Sequence, residues 1–290
     1  MPRDTAKNFL SMVKFSHTIF AMPFALVGYF LALELEHISF DSFLLLKIVA
    51  CMVFARNAAM AFNRYADREF DKQNPRTFFR EIPSGVISPK SALIFVFLNT
   101  ILFTITTYTI NDLCFYLSPV AMVIVLGYSY TKRFTPFCHL ILGAGLSLAP
   151  LGAYMAATGH FALVPALFSI SVLFWVSGFD IIYSLQDTDF DSKFNLRSIP
   201  VYLGKKNALL LSRCFHLLAA VCLFLPGILD QGGIYYFIGW GIFSSMLVYQ
   251  HSLVKVDDLS KVNIAFFTTN GIASILFVTF FLLDYYTLFA

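Results

Sequence analysis

Three observations predict an all-α, polytopic membrane protein. Of the 290 residues, 58% are hydrophobic and only 13% are charged, about half the charged fraction of an ordinary soluble domain. Several segments run for about 20 residues with little charge, which is enough to cross a hydrocarbon core of about 30 Å. Because a membrane span must satisfy its backbone hydrogen bonds internally, each span is expected to be a helix. The net charge of +3 is too small to indicate a nucleic-acid partner.

Nine transmembrane helices around a central cavity are predicted, in a single domain that covers residues 1–290. In chain order they are 16–34, 42–62, 91–110, 113–130, 136–156, 161–183, 207–228, 234–252 and 263–283. Prolines within or beside five of these spans are tolerated, because neighbouring helices can absorb a kink. The first span follows a basic N-terminus, as a secretory signal does. It is too long for a signal core and is expected to stay uncleaved.

The basic residues indicate the orientation of the chain. All of the 20 Lys and Arg residues except Lys47, Arg56 and Arg213 lie in the N-terminus or in loops that a nine-helix chain places on one side. The opposite loops and the C-terminal tail contain none of them and carry acids instead. By the positive-inside rule, the N-terminus and the basic loops are expected to face the cytoplasm. The expected location is therefore a cell inner membrane, with the C-terminus outside.

Two acidic clusters lie where predicted spans emerge on the cytoplasmic side. Asn63, Asp67 and Asp71 in "NRYADREFD" recur every four residues and share one helix face. In "FDIIYSLQDTDFD", Asp187 and Asp191 are again four residues apart. Carboxylates at this boundary suit Mg²⁺, which prefers oxygen ligands and often shares phosphate oxygens. Basic residues follow both clusters, namely Arg76 and Arg80 after the first and Lys193 and Arg197 after the second. The combination predicts a site for a metal-bound diphosphate.

A different interpretation treats each cluster as a solvated charged loop with ordinary ion pairs, which describes most charge runs. Two clusters with the same spacing, both at helix exits on one side, make that interpretation less favoured. The clusters also form a weak internal repeat, because an Ile-Pro pair follows each one, at 82–83 and 199–200. The repeat suggests two related halves that meet around a shared pocket.

Three segments resemble motifs of one known family. "NRYADREFD" with the following "NPRTFFREIPSG" resembles the first aspartate-rich motif of the UbiA superfamily of intramembrane aromatic prenyltransferases, and "YSLQDTDFDSKFNLRSIPVYLG" resembles the second. "YSYTKRFT" is similar to the tyrosine–lysine stretch between them. The resemblance covers nearly the whole chain. It is strongest to 4-hydroxybenzoate polyprenyltransferases and to a related group that serves menaquinone synthesis. Residues 188–192 depart slightly, because many relatives have a doubled acid there.

The resemblance implies a transferase that joins a polyprenyl group to a hydroxy-aryl carboxylate in ubiquinone or menaquinone biosynthesis. Its substrates would be a polyprenyl diphosphate and a small aromatic acceptor, with Mg²⁺ as cofactor, membrane lipid as surroundings and no obligate protein partner. A lipid-facing tunnel would hold the isoprenoid tail. The implied metal ligands are Asn63, Asp67, Asp71, Asp187 and Asp191, and the four aspartates are also the implied catalytic residues. The implied diphosphate ligands are Arg68, Lys132, Lys193 and Arg197.

For the acceptor site, the sequence leaves more than one assignment open. Arg56 lies two helical turns deeper than Asn63, and a guanidinium at that depth needs an anionic partner. That partner is either Asp180, in a structural ion pair, or the carboxylate of the acceptor, which Arg133 at the rim could also bind. Tyr128 is the third candidate acceptor contact. Haem, a chlorophyllide or a dihydroxynaphthoate remain alternative acceptors.

A membrane transporter is the alternative outside this family. Coupling sites of transporters usually lie near the midplane of the membrane, on interrupted helices. The acids of this sequence lie at the boundary instead.

Overall fold

The computed structural model describes residues 6–13 and 22–289, which contain helices and no β-structure beyond one bridge between Lys255 and Asp258. In chain order the α-helices are α1 (Ala6–Met12), α2 (Met22–Leu35), α3 (Ser42–Ala66), α4 (Arg68–Gln73), α5 (Pro89–Tyr108), α6 (Asp112–Thr131), α7 (Cys138–Thr158), α8 (Leu163–Ser184), α9 (Thr188–Lys193), α10 (Ile199–Leu229), α11 (Ile234–Leu253) and α12 (Asn270–Phe289). A 3₁₀ turn (Leu185–Asp187) joins α8 to α9, and a π-helical turn (Ile264–Thr269) precedes α12.

The predicted all-helical membrane fold is confirmed in its coarse form. Seven helical segments in the described part of the chain are long and apolar enough to cross a membrane. A helix overlaps every one of the predicted spans. Two of these helices are not among the seven: α2, which is apolar but has 14 residues, and α11. Residues 16–21 of the first predicted span lie outside the described residues.

The centre of the helix bundle is aromatic. Phe24 of α2 packs against Trp175 of α8 and against Phe277 of α12, with ring centroids 5.4 and 5.9 Å apart. The indole nitrogen of Trp175 donates a 2.9 Å hydrogen bond to Asn270, so the one polar atom of that ring is satisfied. Gly28 allows α2 to approach α7, because a Cβ there would lie 2.0 Å from the carbonyl oxygen of Pro150. This core holds α2, α8 and α12 together.

Two helices break in the same way where the acidic clusters begin. Asp67 ends α3 with φ −91° and ψ 5°, and the short helix α4 begins directly after it. Asp187 leads into α9 with φ −99° and ψ 1°. In both places the second aspartate of the cluster, Asp71 or Asp191, lies in the first turn of the short helix, where the helix dipole favours a carboxylate. The repeated backbone geometry supports two related halves.

The structure differs from the predicted span boundaries at α10. The sequence predicts that this span begins at residue 207, whereas the helix begins at Ile199 and bends at Gly204. Gly204 has φ 77°, a conformation that glycine adopts without steric cost. The first turn of α10 therefore lies at a different angle from the rest and follows the second acidic cluster closely.

Candidate active site

A polar cavity of about 300 Å³ lies at the end of the bundle where α3 and α8 stop. It is lined by residues from α3, α4, the loop after α4, α6, α7, α8, α9 and the π-helical turn. The predicted site residues that line it are Arg56, Asn63, Asp67, Asp71, Tyr128, Lys132, Asp187 and Asp191. The structure therefore brings the two predicted acidic clusters, 120 residues apart in sequence, to one cavity.

Asp67 is held at the centre of the first cluster. Its side chain accepts a 3.2 Å hydrogen bond from the amide of Asn63, and the guanidinium of Arg133 lies 3.5 Å away. Burial raises the pKa of the Asp67 carboxyl, although the nearby ammonium of Lys132 acts in the opposite direction. Asp67 is only 7% exposed, so its charge needs compensation from cations inside the cavity.

A direct ion pair joins the two halves of the site. Arg76, in the loop after α4, donates a 3.0 Å hydrogen bond from Nε to Asp187 and a second, shorter one from Nη2. Its Nη1 donates to the hydroxyl of Tyr183 at 2.8 Å. In the same loop, Nη1 of Arg80 contacts both carboxylate oxygens of Asp71, at 2.7 and 2.9 Å. Arg80 therefore neutralises an aspartate of the first cluster, and Arg76 neutralises an aspartate of the second.

Lys132 lies between the remaining two aspartates. Its ammonium is 3.7 Å from Asp191, and Asp67 lies close enough to interact with it electrostatically. Burial works against the charged form of Lys132, but Asp67, Asp191 and Asp187 outweigh it and raise the pKa of this lysine. The lysine therefore stays charged at neutral pH and lies where the oxygens of an anionic leaving group would be stabilised.

The carboxylates fit a hard divalent cation that shares its coordination with a ligand. Oδ1 of Asp67 and Oδ1 of Asp191 are both buried and have no hydrogen-bond partner in the part of the chain that the structure describes. Within the described residues, no three His, Cys, Asp or Glu side chains converge as a closed metal site. This arrangement matches Mg²⁺ sites, in which one or two carboxylates bind the ion and phosphate oxygens or water complete the shell.

Four of the predicted site residues do not line the cavity. Arg68 donates to the carbonyl of Tyr65 and contacts Glu69, and the Lys193 ammonium lies over the ring of Phe194. The other two hold neighbouring backbone. Arg197 donates to the carbonyl of Phe134 at 2.9 Å, and Arg133 donates to the carbonyl of Ala66 at 2.6 Å. Direct ligand contacts from Arg68, Lys193, Arg197 and Arg133 stay predictions.

The predicted ion pair between Arg56 and Asp180 is not formed. Asp180 contacts His139 instead, with 2.7 Å between Oδ2 and Nδ1. Buried Nε of Arg56 has no hydrogen-bond partner among the described residues. The contact between Asp180 and His139 was not predicted from the sequence, because His139 lies in a different predicted span and belongs to no recognisable motif.

Two further polar residues of the cavity carry no signal in the sequence analysis. Asn74 donates to Asp187 over 3.4 Å and so adds to the contact between the halves. Arg64 is 4% exposed, and its buried Nε has no hydrogen-bond partner within the described residues. Arg64 follows Asn63 directly and lies eight residues after Arg56, close to the same face of α3. This spacing is the one signal that could have placed Arg64 on the cavity wall.

An apolar cavity of about 380 Å³ continues from the polar one. It runs between α3, α6 and α7 towards the opposite end of the bundle, and its walls are mostly apolar. Five residues line both cavities and mark their junction: Arg56, Met60, Tyr128, Leu142 and Leu146. A molecule with an anionic head and a long apolar tail would fit this shape, with the head among the aspartates and the tail in the bundle.

Known proteins share both this sequence pattern and this architecture. Residues 21–281 match the model of the UbiA prenyltransferase family. The chain is 31% identical over 244 residues to a 4-hydroxybenzoate octaprenyltransferase of Aliivibrio fischeri (strain MJ11), with 82% of this chain and 83% of the relative covered. A 4-hydroxybenzoate octaprenyltransferase of Tolumonas auensis is 28% identical over 247 residues, with 85% and 86% covered.

Solved structures agree with this similarity. The apo structure of a UbiA homolog from Aeropyrum pernix K1 superposes with a TM-score of 0.84 at 29% identity, and covers 92% of this chain and 98% of that one. A UbiA homolog from Archaeoglobus fulgidus bound to DMAPP and Mg²⁺ has a TM-score of 0.71 at 19% identity, with 96% and 99% covered, which shows a shared fold. The family model matches most of this chain, and the two aspartate clusters meet at one cavity. This chain therefore belongs to the UbiA prenyltransferase family.

Proposed function

We propose that this chain transfers a polyprenyl group from a polyprenyl diphosphate to a hydroxy-aryl carboxylate, such as 4-hydroxybenzoate or a naphthoate analogue. One observation carries the proposal: aspartates from two helix ends line a polar cavity that opens directly into an apolar one. At the junction lies Arg56, whose buried Nε has no hydrogen-bond partner among the described residues. The names of the relatives support 4-hydroxybenzoate as acceptor. The resemblance to enzymes of menaquinone synthesis stays a prediction.

The diphosphate of the donor is assigned to the polar cavity. Asp67 and Asp191, helped by Asn63, Asp71 and Asp187, would hold Mg²⁺ there together with the diphosphate oxygens. When bound, this ion would neutralise the charge that grows on the leaving diphosphate. The UbiA homolog from Archaeoglobus fulgidus, whose structure contains DMAPP and Mg²⁺, supports this assignment by its fold.

The protein's own cations would act on the same leaving group. Lys132 lies beside Asp191 and Asp67, with its ammonium held in the cavity before any ligand arrives. As the bond between the allylic carbon and oxygen breaks, its electron pair moves to the diphosphate. A cation already positioned there stabilises that charge without reorganisation. Arg76 and Arg80 keep Asp187 and Asp71 in place beside it.

The acceptor is assigned to the junction of the cavities. Arg56 offers a guanidinium whose planar fork matches a carboxylate, and Tyr128 lies beside it. A ring held there would place its electron-rich carbon next to the allylic cation. A carbon–carbon bond then forms, and the ring carbon releases its proton. Arg133 stays a second candidate, although its contacts with Asp67 and Ala66 lead us to favour Arg56.

We further propose a single domain with nine membrane spans, the N-terminus and active site at the cytoplasmic face of a cell inner membrane. Counting α2 and α11 as spans places every acidic cluster and nearly every basic loop on one side. The contact between Arg76 and Asp187 supports this, because it requires the loops after α4 and α8 to lie at the same end. The positive-inside rule then assigns that end to the cytoplasm.

Cysteine labelling tests this topology. In a variant whose native cysteines are replaced, Phe78→Cys and Lys193→Cys should react with a membrane-impermeant maleimide only after the cytoplasmic face is opened. Asp112→Cys and His160→Cys should react in intact cells. All four native side chains are exposed, which makes the comparison fair. Reaction of positions 78 and 193 from opposite faces would contradict the proposed topology.

Enzyme assays test the proposed function. Membranes that contain this chain should transfer a labelled polyprenyl group to 4-hydroxybenzoate when Mg²⁺ is present and should stop when it is chelated. Dihydroxynaphthoate, haem and a chlorophyllide serve as competing acceptors, because they are the alternatives within the family. Transfer to a carboxylate-free acceptor alone would overturn the assignment of the hydroxy-aryl acid. Transport of a charged solute without any prenyl transfer would favour the transporter alternative.

A further inference from the structure

A π-helical turn, Ile264–Thr269, leads directly into α12. Turns of this kind are rare and often lie at functional sites. Buried side chains hold this one in place: Gln250 of α11 donates a 2.7 Å hydrogen bond to the carbonyl of Ala265, and Asn270 donates a 2.8 Å hydrogen bond to the carbonyl of Phe266. Both donors are 0% exposed. The turn is therefore a fixed part of the fold, and so is the direction in which its side chains point.

Aromatic rings from this turn and from α8 line one wall of the polar cavity. The four residues are Phe179, Tyr183, Phe266 and Phe267, and we call them the aromatic wall. The ring centroid of Phe266 lies 4.2 Å from that of Tyr183 and 5.2 Å from that of Phe179. The ring of Phe267 lies 4.6 Å from that of Phe266 and is turned by 87° to it. Phe266 and Phe267 are half-buried, and both leave part of their surface to the cavity.

The aromatic wall lies beside the proposed diphosphate site. Tyr183 precedes Asp187 by four residues, which places it about 6 Å nearer the centre of the bundle. Arg76, which binds Asp187, also donates a 2.8 Å hydrogen bond to the hydroxyl of Tyr183. The guanidinium carbon of Arg76 lies 5.0 Å from the centre of the Tyr183 ring, so this wall already has one cation beside it. The wall therefore begins at the level of the first carbon atoms of a bound donor.

We propose that Phe266 and Phe267 are catalytic residues whose ring faces stabilise the allylic cation formed from the donor. When the bond between the allylic carbon and oxygen breaks, its electron pair moves to the diphosphate and the carbon is left with positive charge. The face of an aromatic ring is negative and attracts this charge, and it presents no oxygen that could trap the cation. The inference rests on the proposed function and adds to it two residues that lie outside both aspartate clusters.

The same two rings would decide which nucleophile captures the cation. Attack by the acceptor ring, followed by loss of the ring proton, gives the prenylated acid. Attack by water, followed by loss of a proton, gives a prenyl alcohol instead. Phe266 and Phe267 cover their side of the cavity with apolar surface, which keeps water away from the reacting carbon.

The test changes the electrons of the rings and leaves their shape nearly constant. Phe266 or Phe267 is replaced with mono-, di- or trifluorophenylalanine, because fluorine withdraws electron density from the ring face. Full-length protein in lipid nanodiscs receives Mg²⁺, farnesyl diphosphate and 4-hydroxybenzoate, and the transfer rate is measured in a single turnover. The rate should fall with each fluorine, by about 10- to 30-fold for the trifluorinated ring. The same series at Phe243, a buried core residue that lines neither cavity, should leave the rate unchanged.

A second measurement separates charge stabilisation from the exclusion of water. Phe266→Leu and Phe267→Leu keep an apolar side chain but remove the ring face, so they should slow transfer without changing the ratio of products. Phe266→Ala and Phe267→Ala also open space beside the cation, so they should raise the fraction of the donor that ends as farnesol. Chromatography of the products from a radiolabelled donor gives both the rate and this fraction.

The outcomes separate this inference from the proposed function. A stepwise fall with fluorine at either phenylalanine of the turn supports the inference. A flat series at both positions, or an equal fall at Phe243, overturns it. A wild type that releases diphosphate and farnesol but prenylates no aromatic acceptor contradicts the proposed function instead, and the fluorine series then decides the inference from the rate of farnesol release. If the leucine or alanine variants do not fold, the fluorinated proteins decide alone.

Discussion

Asp67→Asn and Asp191→Asn are each expected to lower the rate of prenyl transfer by about 100- to 1000-fold, the range seen when one group that stabilises transition-state charge is removed. Within the described residues, these are the two aspartates with a buried oxygen that has no hydrogen-bond partner. Asparagine keeps their volume but removes the charge that a divalent cation needs. The loss should appear in kcat and in the Mg²⁺ concentration needed for half-maximal activity, with membrane insertion unchanged.

Two matched variants show whether the effect is local. Glu69→Gln and Asp189→Asn remove the same charge from exposed residues beside the two clusters, and neither residue lines the cavity. Both should keep near wild-type activity. A fully active Asp67→Asn or Asp191→Asn enzyme, or full wild-type activity in excess chelator, would contradict the proposed metal site. Mn²⁺ binding followed by electron paramagnetic resonance gives the same answer without turnover.

Arg56→Leu is expected to raise KM for the hydroxy-aryl acid by about 10- to 100-fold, which is the loss of a hydrogen bond to a charged group. KM for the polyprenyl diphosphate should change little, because the proposed diphosphate site lies among the aspartates. The variant should also lose its preference for the acid over ester or amide analogues of the acceptor. Arg56→Lys should recover only part of this preference, since an ammonium cannot bind a carboxylate with two parallel hydrogen bonds.

Arg133→Leu is expected to change the kinetics in a different way from Arg56→Leu. Arg133 contacts Asp67 and the carbonyl of Ala66, so its loss should weaken use of the diphosphate and Mg²⁺ more than use of the acceptor. The opposite pattern would be that Arg133→Leu weakens only the use of the acceptor while Arg56→Leu behaves like wild type. That result would place the acceptor carboxylate at the rim of the cavity. Wild-type acceptor kinetics in both variants would favour a neutral phenolic acceptor.

The helical membrane fold was predictable because it depends on local properties of the chain. Hydrophobic runs of about 20 residues predict spanning helices, and the four-residue spacing of Asp67 and Asp71 places them on one face whatever surrounds them. That the two acidic clusters lie at the same end of the bundle could also be predicted, since it follows from the order of the helices along the chain. The boundaries were less predictable, as α10 shows, because a glycine at residue 204 permits a bend that hydropathy does not detect.

The sequence by itself determined which residue types gather at each helix exit, and hence the chemistry of a metal-bound diphosphate. Only the tertiary structure decided which charges face each other. Arg76 reaches Asp187 in the other half, and Asp180 contacts His139 rather than Arg56. These contacts depend on how helices pack across distances of 40 to more than 100 residues, and spacing along one helix carries no information about them. The position of Arg56 at the junction of two cavities, with no hydrogen-bond partner for its buried Nε among the described residues, is a result of that packing.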